Sequence, residues 1–186
     1  MQGLTTEEKA NMMALPLIEL DENDHNDTDS ILKGIKDVFT AMNMPLMNEL
    51  TDGIRYKLDY SHTDGNLLQM VQVIYNSEQR FIIMTIEFRD VPIGKRKRIA
   101  ELINLLNIRF AHSCTVMIPN GNVAVKSVMP LSRWFNTQEL FINLKELLLD
   151  GFFYTIAGAK IILSNETPAA VMERLDKYIE ENQAGE

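Results

Sequence analysis

Two side chains two positions apart, His112 and Cys114, are the nearest this sequence comes to a reactive pair. On an extended strand residues i and i+2 share a face, so an imidazole and a thiol there would supply half of a tetrahedral zinc site. The other half is missing. His25 sits in the polar run DENDHNDTD, His62 in the turn-forming cluster HTDGN, and Cys114 is the sole cysteine. The reading is a structural thiol beside an incidental histidine, with no metal. Phosphate-cradling glycine loops, G-x-S-x-G elbows, H-E-x-x-H helices and paired-carboxylate spacings are all missing, and Asn120-Gly121-Asn122 is hairpin chemistry. The expectation is a protein that is not an enzyme and uses no cofactor.

The residues that stand out instead are charged. Lys95, Arg96, Lys97 and Arg98 open a predicted helix, where positive charge faces the positive end of the helix dipole and costs about 0.3 to 1 kcal/mol for each well-placed group. Residues 1 to 30 hold eight acids and one base, and the rest of the chain holds 18 acids and 17 bases, so most of the net charge of −8 lies at the front. A solvated charge run is one reading of Lys95 to Arg98, and an anion or acidic-partner site that receives the acidic tail is the other. A basic run without interleaved aromatics on an acidic chain argues against nucleic acid.

Positioning these residues takes one domain of ordinary size, which 186 residues can build without staples. The chain holds no apolar run of about 20 residues, so neither membrane insertion nor, from its acidic start, secretion is indicated. One cysteine fits a reducing, cytoplasmic setting. The expected organisation is an acidic flexible tail over 1–27, an α+β domain over 28–163 and a C-terminal helix over 164–186.

Within that domain Ile31, Leu32, Ile35, Val38, Phe39 and Met42 recur at helical spacing after a cap at Asp27, Thr28 or Asp29, and Pro45 ends the run. TDGIRYKLDY alternates with period two, with Ile54, Tyr56, Leu58 and Tyr60 on one face and Arg55, Lys57 and Asp59 on the other. Asp64-Gly65 suits a hairpin to LLQMVQVIY, and NSEQ turns the chain into FIIMTIEF. That strand is almost continuously apolar, which predicts a sheet centre covered on both faces, by a helix on one side and by a partner or later helix on the other. A helix follows through Ile99, Leu102, Ile103, Leu106 and Phe110, then a hairpin about Asn120-Gly121. A long helix begins at the Asn136 cap with Glu139 three residues later, and a last one at Thr167-Pro168.

Trp134 and Phe135 read as packing groups ahead of a cap, and Met42, Met44 and Met47 as core filling or as a soft binding groove. Gly151 and Gly158 require either a bend in the long helix or close approach of another helix.

The element order resembles the type III secretion chaperone-like fold. More narrowly, Asn104-Leu105-Leu106-Asn107, the strand SCTVMI, the turn Asn120-Gly121-Asn122, the strand VAVKSVMPL and the helix beginning TQELFINLKELL resemble the YbjN family, described as putative bacterial sensory-transduction regulators. Ala111-His112 stands where that pattern has a small residue and an aromatic. The resemblance implies a homodimer without catalytic residues whose apolar surfaces receive a protein partner. The expected function is therefore a non-catalytic protein-binding module of chaperone-like or regulatory type, and the alternative is a small-ligand sensor with a cleft between sheet and helices.

Overall fold

The computed structural model describes residues 4–20, 27–64, 67–109 and 113–183. It is an α+β structure, with helices α1 (Thr6–Met13), α2 (Asp27–Ala41), α3 (Arg96–Arg109), α4 (Thr137–Leu163) and α5 (Pro168–Gln183). The strands are β1 (Leu17–Glu19), β2 (Leu46–Thr51), β3 (Arg55–Asp64), β4 (Leu67–Asn76), β5 (Phe81–Phe88), β6 (Cys114–Met117), β7 (Val123–Pro130) and β8 (Trp134–Asn136). Six of them form one antiparallel sheet in the order β2-β3-β4-β5-β7-β6, and β1 pairs with β8 in a separate ribbon.

All five helices lie on one side of the sheet. α4 rests on β5 and β7 with α2 and α3 beside it, α5 packs on α3 and α4, and α1 on α2 and α4. Period two on the strands and 3.6 on the helices bring Leu58, Val73, Ile82, Met84 and Val125 together with Phe39, Leu102, Leu140 and Leu144 in one buried core. Phe39 stacks on Tyr60 at 3.9 Å between centroids, which ties α2 to the sheet. Asn136 caps α4 by accepting from the backbone N–H groups of Gln138 and Glu139, as its spacing predicts. Gly121, at φ 88°, makes the β6–β7 hairpin. α4 runs unbroken through Gly151 because the sheet approaches it there. A Cβ on Gly151 would lie 2.9 Å from Gln69 Nε2 and from Ile86 Cδ1, so the close neighbour is the sheet and not a helix.

Two expectations need correction. Much of the segment expected to be an acidic flexible tail over 1–27 is part of the fold. Thr5 and Glu8 close a capping box on α1, Met12, Leu15 and Leu20 are buried, and β1 pairs with β8 in register Ile18↔Phe135. Composition hid this, because the acids are spent on contacts: Glu8 pairs with Lys145 at 2.6 Å and Glu19 with Arg133 at 2.7 Å. Second, β2 follows α2 directly, so four strands and not three lie between α2 and α3. All six of its residues are exposed, which left no burial pattern to read. β5 is interior to the sheet and rests on α4 with one face, and no described helix crosses to the other. Of the two covers expected there, the later helix drops out and the partner stays open.

Candidate interaction surface

Antiparallel register fixes which side chains share the uncovered face, because residues paired across strands point the same way. Gln72 and Thr85 face each other across β4 and β5, Asp59 continues the row on β3, Asn48 on β2, Lys126 on β7 and Cys114 on β6. This is a polar row crossing the whole sheet. The next row reads Leu50, Lys57, Ile74, Ile83 and Val128, and beyond it lie Arg55, Asn76, Phe81 and Pro130. On the other side of the polar row Met70 lies between Ser61 and Glu87.

Apolar groups on this face are open to water. Leu50 is 55% exposed, Val128 54% and Met70 45%, while the strand neighbours of Val128 and Met70 on the helix side are almost fully buried. Met47, 60% exposed, and Met70 edge a depression of about 670 Å³ that reaches Asp59, Gln72 and Thr85. Asp59 is held in place by Asn48 Nδ2, which donates to it at 3.3 Å, by Gln72 Nε2 at 3.2 Å, and by Lys57 at 3.6 Å. Of the methionines singled out in the sequence only Met47 belongs to this groove. Met44 is core, and Met42 packs against it.

The two edges of the sheet are unlike. At β6, Asn107 of α3 accepts from the Thr115 N–H at 2.7 Å and donates to the Thr115 carbonyl at 2.8 Å, so one side chain closes the strand's outward backbone groups. At β2 a register irregularity between Leu46 and Asn48 twists the edge, and Lys36 on α2 reaches Glu49 at 2.9 Å.

Lys95, Arg96, Lys97 and Arg98 do not form one patch. Lys95, in a 3-10 turn just before α3, donates to the Ser164 carbonyl at the end of α4 at 2.7 Å. Arg96 donates to the carbonyls of Asn120 at 3.1 Å and Val91 at 3.4 Å, bracing the β6–β7 turn. Lys97 is exposed, and Nη1 of half-buried Arg98 finds no hydrogen-bond partner among the described residues. Two of the four thus tie backbone together. The tail acids Glu8 and Glu19 pair elsewhere, and residues 21–26 lie outside the described residues, as does His112.

Cys114, expected to be structural, is exposed at the end of the polar row. Among the described residues no cluster of three metal-ligating side chains occurs, and no helix is long and apolar enough to cross a membrane. On the helix side of the sheet the Ser113 hydroxyl donates to the buried Asp150 of α4, and buried Gln69 Nε2 donates to the Leu148 carbonyl at 3.4 Å. Phe135 is fully buried against the β1 side, whereas Trp134 lies half-open with the Arg133 guanidinium 5.7 Å from its ring. Compared with known protein families, with curated proteins and with solved structures, the chain matches none.

Proposed function

We propose that this chain is a non-catalytic protein-binding module of chaperone-like or regulatory type that works as a homodimer in the cytoplasm. The observation that carries this reading is the outer face of the six-stranded sheet, where Leu50, Met70, Ile74, Ile83 and Val128 stand with no described element of the chain above them. Contiguous apolar surface on a soluble scaffold favours association, because covering it returns about 25 cal/mol for each Å² removed from water. The likeness to the YbjN family and to the secretion chaperone-like fold points the same way.

A ligand sensor with a cleft between sheet and helices has less support, since that space is filled by side chains such as Leu58, Ile82 and Leu144 that are inaccessible to solvent. The test is one substitution on the open face. Ile83→Lys should leave the circular dichroism unchanged while abolishing self-association in light scattering or the capture of a partner from the native host. A folded variant that changes neither the oligomeric state nor the proteins recovered would overturn the reading.

A further inference from the structure

We propose that the occupant of the outer face is a second copy of this chain, stacked sheet on sheet about a two-fold axis parallel to the strands and passing between β4 and β5. The inference rests on reading that face as a protein-docking surface, and it names what docks and in which register.

Area permits it. Six strands about 4.8 Å apart and some eight residues long give a face on the order of 800 Å², the share each partner contributes to an interface of standard size. Charge selects the axis. Such an axis lays β4 over the partner's β5 and β3 over the partner's β7, so each protomer's Asp59 meets its partner's Lys126 twice over, an isologous exchange. Within one chain the two are three strand spacings apart, about 14 Å, and cannot pair. Lys126 makes no ion pair among the described residues, and Asp59 is fixed facing outward by Asn48 and Gln72. The competing arrangement, with the axis across the strands through the same row, would set Asp59 on Asp59 and Lys126 on Lys126, and like charges brought together reject it. In the favoured register Gln72 lies over Thr85 and Ile74 over Ile83, so apolar contact flanks the polar row. Lys57, which this register lays over the partner's Val128, keeps its own-chain partner Asp59, and Glu87 keeps Arg89.

Charge exchange tests the register on the full chain. Asp59→Lys and Lys126→Asp should each weaken the dimer at least about tenfold in sedimentation velocity, and the doubly exchanged chain should regain most of the loss, because the pair is restored with its signs swapped. Lys126→Asp removes no hydrogen bond or ion pair among the described residues, so it carries the test should Asp59→Lys fail to fold. A second measurement needs no charge change. The same axis places Asn48 over the partner's Cys114, and stacked sheets lie about 10 Å apart, beyond a disulfide but within a short bismaleimide. Asn48→Cys should therefore be joined into a covalent dimer, whereas the wild-type chain, with its two Cys114 thiols at opposite edges about 24 Å apart, should not. A wild-type chain that stays monomeric at high micromolar concentration rules out the second copy, and the docking surface then stands only if Ile83→Lys abolishes capture of another protein. A dimer indifferent to both single exchanges, or a double exchange that restores nothing, or cross-linking of Asn48→Cys no faster than wild type, rules out this register.

Discussion

Tyr60 presents a hydroxyl in the wrong surroundings. Its ring is stacked on Phe39, its Oη is buried without a hydrogen-bond partner, and burial, with the nearby Glu49 charge adding to it, pushes its ionisation well above the usual range. An unsatisfied buried hydroxyl costs free energy that a ring without it does not, so Tyr60→Phe should raise stability by about 0.5 to 1 kcal/mol in urea unfolding. A loss of stability would mean that the hydroxyl has a partner. Glu8 shows the opposite case. Burial alone would raise its carboxyl, but the Lys145 ammonium and the Thr5 cap outweigh it and hold it below the ordinary carboxylate range. The stabilisation from a lowered pKa is fully present above the ordinary value and disappears as pH falls through the folded one. Wild type should thus lose about 0.5 to 1 kcal/mol more than Glu8→Gln between pH 6 and pH 3, a difference readable in unfolding midpoints. The capping box at Thr5 and Glu8 lies in the segment read as a tail, and its Lys145 partner stands far along the chain, so neither was found from the sequence.

At the scale of elements, α1 and β1 form a strap across the helical layer. Ile18 lies against Gly34 of α2, where a Cβ would come within 2.8 Å of it, and the Thr137 hydroxyl donates to the Pro16 carbonyl. Removing residues 1–20 takes away the buried Met12, Leu15 and Leu20 and uncovers Phe135 and the Gly34 face, and the loss of those three apolar side chains alone amounts to several kcal/mol. Such a truncated chain should unfold at markedly lower urea than the full chain, and an unchanged midpoint would return this segment to the status of a tail. Turn chemistry with apolar, β-rich composition found β4, β5, β6 and β7, and periodicity found α2, α3, α4, α5 and β3, because each of these last has one buried face and therefore a readable rhythm. It missed β2, which exists through backbone pairing with β3 and buries none of its side chains, and it missed β1 and β8, three residues each, which exist only through each other.

For the whole molecule, a sheet with helices on one side leaves its other side to water or to another chain. Association of folded chains stabilises them by mass action, so the thermal midpoint should rise steadily as protein concentration is raised about a hundredfold, and a midpoint independent of concentration would speak for a monomer. The amino-acid sequence determined the α+β class, the core residues of β3, β4 and β5, and the cap of α4, since these follow from local periodicity and turn chemistry. It also showed FIIMTIEF to be apolar on both sides, but periodicity records only that a face avoids water and not what covers it. Tertiary structure alone put all the helices on one layer, brought Asp59 and Lys126 into one row from positions 67 residues apart, and scattered Lys95 to Arg98 among separate backbone contacts. Those outcomes depend on strand order and register, which are set by contacts distant in sequence.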